Sequence, residues 1–587
     1  MKLKKIIIPI MALAMTYTLF GCSKKDETSI ITNSTTGNSV ITTKTNSSSN
    51  TGDVTGDDVN GNTSNIEIDD DEITASFILK DSDDNVIEGV NGIYTISNAG
   101  SYVASGKLED GQIYVDASDC EVEISFEGVS ISNSSISPIF VNDASEVTLK
   151  IKKNTTNYIY DNRTTDYSES EDDTIGKAAI YASNGDLKFS GKGTISITSL
   201  NNSGIHGKDN VKIKNCTMLV KAMNNGIKGN DKVTIEEDPT IGIIAGNNGI
   251  RTSNSDLSSK GNQQGYIYIN GGTITINSYG DGIDAAYAVE IGTSTDSDGI
   301  TYTPTVDIYT NIYSSYTLTT STVNSEIKLQ NYYASPQIPG GGFDGGGFNG
   351  GQAAEKADES AKAIKANEYI NVSAGNIFAY TYDDCLHTND DTLDTGVKAS
   401  ANITISGGTL KLKASDDAIH ADGALTIDDG EIYIAESHEG IEGNTINING
   451  GSTTVFANDD AVNASNAINV TGGLLDATVS PNGDTDGIDS NGTITISGGT
   501  IITRGPNQEM ASPIDADGTL KITGGTVIIV GYYQTKISTN LTKTQSSSGS
   551  TSGSHTVTVG STVISYKNSN SYNGTTTVLA SQSASIK

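Results

Sequence analysis

The chain is predicted to be all-β: a parallel β-helix with coils of about 22 residues and β-rich caps at its N- and C-terminal ends. Three observations predict it. One phrase recurs with small changes: DDAIHADGALTIDDGEIYIA (Asp416 to Ala435), HEGIEGNTINING (His438 to Gly450), DDAVNASNAINVTGG (Asp459 to Gly473), DGIDSNGTITISGGTIIT (Asp486 to Thr503) and SPIDADGTLKITGGTVIIV (Ser512 to Val530). Each unit is an acidic or amide pair, a small residue, an aliphatic residue and a polar one, then two alternating runs about a Gly-Gly turn. Second, the aliphatic residues Ile180, Ile205, Ile227, Ile250, Ile283, Ile364, Leu386, Ile419, Ile441, Val462, Ile488 and Ile514 recur mostly 21 to 26 residues apart. A period in the low twenties with short alternating strands is the signature of stacked coils. Third, 35% hydrophobic and 6% aromatic content, no Trp, 64 Gly and 9 Pro suit a thin aliphatic column with many tight turns. A leucine-rich repeat lacks its Leu-x-x-Leu-x-Leu signature here, and a β-sandwich would not repeat its turn chemistry at a fixed period.

In chain order, residues 1–22 are expected to be a signal peptide: Lys2, Lys4 and Lys5 precede an apolar run from Ile6 to Phe20. Leu19-Phe20-Gly21-Cys22 resembles a lipobox, with Cys22 as the expected lipidation site. Residues 23–71 are rich in Ser, Thr, Asn and Gly and read as a disordered tether. Residues 72–177 alternate apolar and polar residues less regularly and are expected to be an N-terminal β cap with the first coils. Residues 178–291 carry clear coils. The gaps from Ile250 to Ile283 and from Leu386 to Ile419 are each a coil plus a loop. Residues 292–354 read as an insertion, with Tyr302, Tyr309, Tyr313, Tyr316, Tyr332 and Tyr333 in β-like sequence and a Gly-rich run, IPGGGFDGGGFNGGQ, from Ile338 to Gln352. Residues 355–530 resume the coils, and 531–587 are expected to be a C-terminal β cap or tail.

The net charge of −35 excludes a nucleic-acid backbone as partner and admits a neutral or cation-bridged anionic ligand. No Cys/His zinc spacing and no nucleophile elbow is present. Cys385 fills a slot that Gly or Ala fills in sister coils. Equivalent residues of successive coils lie about 4.8 Å apart, so a column in the repeat is a ladder in space. Ahead of the aliphatic residue the early coils carry Asn201, Asn202, Asn224, Asn225, Asn247 and Asn248, the residues of a structural amide ladder. Later coils carry Asp281, Asp383, Asp384, Asp416, Asp417, Glu439, Asp459, Asp460 and Asp486, with Asp284, Glu442, Asp489 and Asp515 just after the aliphatic residue. Carboxylates about 5 Å apart repel by about 1 kcal/mol per pair in water and more at lower dielectric. A bound cation relieves that repulsion, and oxygen donors on turns favour calcium. The expected calcium ligands are therefore Asp281, Asp284, Asp383, Asp384, Asp416, Asp417, Glu439, Asp459, Asp460, Asp486 and Asp489; a solvated acidic turn is the competing reading. The column after the aliphatic residue also holds His206, Lys228, Arg251, Lys365, His387 and His420. Of these Lys365, His387 and His420, with Tyr382, are the candidate ligand-binding residues, and surface decoration is the alternative for each.

AKAIKANEYINVSAG (Ala361 to Gly375), SDDAIHADGALTIDDG (Ser415 to Gly430) and HEGIEGNTINING, with the Gly-rich run, resemble the carbohydrate-binding-domain lipoproteins of anaerobic bacteria, whose characterised type binds cellulose and polygalacturonate. The resemblance runs from about Ala178 into the C-terminal region. It implies a right-handed parallel β-helix similar to pectate lyases, bound calcium, and binding rather than cleavage. The leading expectation is a monomeric, non-enzymatic lipoprotein at a bacterial cell surface that binds plant-type polysaccharide, polygalacturonate or pectin and also cellulose, with no nucleic acid and with the membrane reached only through the lipid. A calcium-dependent uronate lyase, with Arg251 or Arg504 as its cationic base, and a structural surface protein or adhesin remain open alternatives.

Overall fold

The computed structural model describes residues 73–167, 170, 172–311, 313–320, 325–332 and 360–587. Cys22, the tether and the Gly-rich run 338–352 lie outside the described residues. Among those described, the chain is all-β apart from one 3-10 turn, Asp173–Ile175.

The strands form three parallel ladders, each joining one coil to the next. In the first, Ile139, Ile180, Ile205, Ile227, Ile250, Ile283, Ile364, Leu386, Ile419, Ile441 and Val462 pair in unbroken register. The second runs through Val147, Leu187, Val211, Val233, Ile267, Val289, Ile370 and Ile403 to Leu425, Ile446, Ile468, Ile494 and Leu520. The third runs from Ile159, Ile197, Val220, Ile243, Ile276 and Ile308 to Ala379, Leu412, Ile434 and Val455. All these residues are buried in one continuous core. Alternation along each strand turns one face inward and leaves the other for polar residues. Because each coil is short, its aliphatic residues bury themselves only against the coils on either side.

The turns explain the Gly-Gly pairs. Gly499 has φ +80°, and a Cβ on Gly498 would lie 2.0 Å from the Thr471 carbonyl oxygen of the preceding coil. The small residue ahead of the aliphatic one is equally constrained. A Cβ on Gly249 would sit 2.4 Å from Ile276 Cγ2 and 2.6 Å from the Gly282 carbonyl. Cys385, fully buried in the same slot, directs its Sγ at the Lys413 carbonyl 3.4 Å away. Gly249→Val is therefore expected to lower the thermal midpoint by about 1–3 °C, through overpacking of about 1–3 kcal/mol, as differential scanning calorimetry would register.

The two longer gaps are loops at the same turn, between first and second ladders. Ser255 of one and Asp394 of the other exchange hydrogen bonds of 2.7 and 2.8 Å, backbone N–H to side chain in each direction. The expected insertion is shorter on its N-terminal side. Thr305–Thr310 pairs in parallel with Tyr266–Ser278 and with Asn376–Thr381, and Tyr309 is buried. The long departure from the ladders therefore begins after Thr310, and the segment from Gly292 to Pro304 is a short excursion between the second and third ladders. Tyr313–Thr320 and Ser325–Tyr332 then pair with each other antiparallel. Tyr302 lies in a small antiparallel hairpin, Ser294–Thr295 with Thr301–Tyr302.

Toward the C-terminus, Tyr572–Ala580 runs antiparallel to Thr526–Gly531, the last strand of the third ladder, and so covers an edge that would otherwise expose unpaired backbone groups. Arg504, 1% exposed, lies under this cover and donates to Asp476, Thr478 and Asn568.

Candidate functional site

At the turn leading into the first ladder, the side chain two residues before the aliphatic residue faces the one just after it. The two columns run down one stripe. From the Ile227 coil onward the pairs are Asn225 with Lys228, Asn248 with Arg251, Asp281 with Asp284, Lys362 with Lys365, Asp384 with His387, Asp417 with His420, Glu439 with Glu442, Asp460 with Asn463, and Asp486 with Asp489.

The inner column has a building role that does not depend on charge. Asn248 Oδ1 accepts from the Asp281 N–H at 2.9 Å. Asp281 Oδ1 accepts from Lys362 N–H at 2.8 Å, Asp384 Oδ1 from Asp417 N–H at 2.9 Å, and Asp460 Oδ1 from Asp486 N–H at 2.6 Å. Asp486 Oδ1 accepts from Ser512 N–H at 2.6 Å. An amide or a carboxylate oxygen of one coil thus caps the turn of the next. The second carboxylate oxygen is what an Asp adds beyond an Asn.

Those added charges are treated differently along the stripe. Asp281 spends its acceptor on Lys362 N–H and the Ser360 hydroxyl, both 2.8 Å away. Asp284 takes Asn248 Nδ2 at 2.9 Å and Arg251 Nε at 3.3 Å; burial, then the Asp281 charge, raises its carboxyl above the usual range. Lys365 stands in register between Asp284 and His387. Lys362 fills the slot that Asn, Asp or Glu occupies in the flanking coils. Its ammonium lies 2.5 Å from Asp383 Oδ2 and 3.0 Å from Asp384 Oδ2, and all three side chains are nearly inaccessible: 7%, 4% and 1% exposed. Burial works against ionisation of Asp384, but the His387 hydrogen bond and the Lys362 charge hold it well below the usual carboxylate range. Asp383 Oδ1 is buried with no hydrogen-bond partner.

The next two coils gather carboxylates around imidazoles. His387 Nδ1 lies 2.5 Å from Asp384 Oδ2, and His420 Nδ1 lies 2.9 Å from Asp417 Oδ2 and 3.2 Å from Glu442 Oε2. The rings of His387 and His420 are 4.7 Å apart. Burial opposes a charge on His420, yet Asp417 and Glu442 lift its pKa to about 9. Five groups offer ligand atoms within 4.8 Å of one another: Asp384–His387–His420, Asp416–Asp417–His438, Asp417–His420–Glu442, His438–Glu439–Asp459 and Asp383–Asp384–Asp416. They overlap from the Leu386 coil to the Val462 coil.

From Asp460 onward the donors are oxygen only, with Glu439 and Asp459 at the boundary in the group that includes His438. Burial, followed by Glu442, pushes Glu439 up to about 8. Burial, with repulsion among Asp459, Asp460, Asp486, Asp489 and Asp515, pushes Asp460 to about 7, Asp486 to about 8 and Asp489 to about 6. Burial also raises Asp459. Such carboxylates stay partly protonated at neutral pH unless a cation takes the proton's place. The donor chemistry of Glu439, Asp459, Asp460, Asp486 and Asp489 fits calcium.

Of the expected residues, the geometry brings Asp383, Asp384, Asp416, Asp417, Glu439, Asp459, His387 and His420 together. Asp281, Asp284, Asp460, Asp486, Asp489, Lys365 and Tyr382 stand outside the five groups, and Tyr382 is half-buried beside the Asp383–Asp384 pair. Two residues were missed from sequence, Lys362 and His438, while Glu442 was placed in the acidic column but not among the expected ligands. Aligning the inner column would have revealed Lys362 as the one cation in it. The two Arg candidates for a catalytic base are both engaged, Arg251 with Asp284 and Arg504 beneath the C-terminal strands.

Comparison with known proteins gives three findings. The profile of the family described as carbohydrate-binding domain-containing protein matches residues 90–395 and 388–440. A carbohydrate-binding domain-containing protein of Acetivibrio thermocellus is 30% identical over 152 residues, which cover 25% of this chain and 52% of the relative; the match thus spans about half of that protein's length. A solved structure described as a polysaccharide lyase-like protein from C. thermocellum, in a gadolinium derivative, is 29% identical, with a TM-score of 0.33 over 39% of this chain and 87% of that one.

Proposed function

The chain belongs to the family of carbohydrate-binding domain-containing proteins, and from that premise we propose that it is a cell-surface lipoprotein that binds plant-type polysaccharide along the acidic stripe. The observation that carries this reading is the run of overlapping carboxylate and imidazole groups over consecutive coils. Polysaccharide is itself a linear repeat, so a ligand lying along the stripe meets similar chemistry every coil. In this reading the three ladders are the faces of a right-handed parallel β-helix, a stiff scaffold for that stripe, and Cys22 carries the lipid that holds the protein at the membrane.

Polygalacturonate is the proposed ligand, because its carboxylates cannot approach an acidic stripe without a bridging cation. Calcium would be held by Glu439, Asp459, Asp460, Asp486 and Asp489 and would neutralise both partners. Lys365 and His420, the latter with its pKa lifted to about 9, add positive charge on the same face. Cellulose, lacking carboxylates, would rely on aromatic stacking instead. A half-buried set suits that role: Tyr266, Tyr268, Tyr287 and Tyr369, with neighbouring rings 5.0 to 6.1 Å apart.

Affinity electrophoresis in polygalacturonate gels tests the reading. Retardation is expected with calcium and is expected to fall at least tenfold in chelator and in Asp460→Asn/Asp486→Asn. Retardation that ignores both changes would remove calcium bridging from the proposal. Release of unsaturated, ultraviolet-absorbing product from the same polymer would instead indicate a lyase.

A further inference from the structure

Four of the five groups on the stripe contain a histidine, a donor that calcium does not favour. In one of them the geometry goes further than proximity. His420 Nδ1 faces Asp417 Oδ2 at 2.9 Å and Glu442 Oε2 at 3.2 Å. Ligand atoms on a tetrahedral ion with bonds of about 2.0–2.1 Å are themselves about 3.3 Å apart. The other ring nitrogen, Nε2, lies 3.4 Å from Asp422 Oδ1, the position of an outer carboxylate that fixes ring orientation. The three donors come from two successive coils whose strands pair residue for residue, His420 opposite Glu442, so the ladder itself sets their spacing.

Adjacent to this set, Asp383 leaves its Oδ1 buried and without a partner, within the neighbouring group Asp383–Asp384–Asp416. The Lys362 ammonium serves Asp383 and Asp384 through their other oxygens. Asp417 and Glu442 instead both face His420.

We propose that Asp417, His420 and Glu442 form a binding site for a divalent transition cation of the zinc class, separate from the oxygen-only stretch around Asp460 and Asp486. One imidazole and two carboxylates leave a fourth position open. His420 and Glu442 are 20% and 34% exposed, so that position faces solvent and is open to water or to an oxygen of a bound ligand. His387, with its ring 4.7 Å from that of His420, flanks the site. The inference stands on donor chemistry and register and does not depend on glycan binding.

The test uses the full-length protein stripped with a chelator and assayed without glycan. Calorimetric titration with Zn²⁺ is expected to show one site per chain that a hundredfold excess of Ca²⁺ does not displace. Co²⁺ in place of Zn²⁺ is expected to give the intense visible absorption of a four-coordinate ion. His420→Gln and, separately, Glu442→Gln are each expected to weaken Zn²⁺ uptake at least tenfold. Circular dichroism identifies which variants keep the β fold, and only folded ones are compared. Absence of Zn²⁺ uptake, displacement by equimolar Ca²⁺, or unchanged uptake in a folded variant would overturn the proposal.

Discussion

Lys362→Met is expected to be among the most destabilising single changes on the stripe, by about 3–5 kcal/mol, because it leaves two buried carboxylates without their counter-charge. Lys362 is the only ammonium among the described residues that reaches Asp383 and Asp384, and Asp384 is 1% exposed. Met matches the length of the aliphatic stem, so the packing term is small and the electrostatic term dominates. The deficit should depend on pH in a definite direction. The folded-state pKa of Asp384 lies below its unfolded value, so its contribution is present above about pH 4 and is lost as pH falls through the folded value. The gap in thermal midpoint between wild type and Lys362→Met should therefore be wide at pH 7 and narrow toward pH 3. Equal midpoints at pH 7 would mean that the ammonium is not what holds these carboxylates.

The aliphatic column was legible in the sequence to the residue. Ile180 through Val462 pair in the register that the repeat predicts, because the period-2 pattern makes any one-residue slip turn Ile outward. The column also extends further back, through Ile139 and Ile113, whose flanking turns lack the acidic or amide pair used as the index. Thr305–Thr310 was misread because its Tyr-rich neighbourhood resembles the segment beyond it, and only pairing with Tyr266–Ser278 and Asn376–Thr381 shows that it belongs to the stack.

The site was legible in kind and less so in membership. That Asp replaces Asn down the column can be read directly. That both residues cap the next coil's N–H cannot, since the capping bond spans 26 to 81 residues of sequence. Consequently the switch from amide to carboxylate does not by itself mark a metal, and Asp281 illustrates this: its Oδ1 is occupied by the Lys362 N–H and the Ser360 hydroxyl. Lys362 and His438 escaped because a single cation or imidazole breaks a repeat and so looks like noise in it.

Asp460→Asn/Asp486→Asn separates the two roles of the carboxylates. Asn keeps the oxygen that accepts from the next coil's N–H, as Asn248 does for Asp281. It removes two carboxyls that burial, followed by repulsion from neighbouring carboxylates, pushes to about 7 at Asp460 and about 8 at Asp486. In wild type these folded pKa values lie above the unfolded ones, so the folded chain binds extra protons between about pH 4 and pH 8. In chelator, wild-type stability should therefore fall as pH rises through that window; His420, with its pKa lifted to about 9, adds a fall of the same sign that begins near pH 6.5. The Asn variant should lose most of this dependence. At pH 8 in chelator it should melt about 1–2 °C above wild type, the effect of removing about 1–2 kcal/mol of repulsion from a chain of this length. With calcium at a hundred times its dissociation constant, wild type should gain about 2.7 kcal/mol and the variant almost nothing. The order of the two midpoints should then reverse. That crossing is the decisive feature: a purely structural acidic turn predicts a variant that is more stable in both buffers, and a cation site predicts one that is more stable only when the cation is withheld.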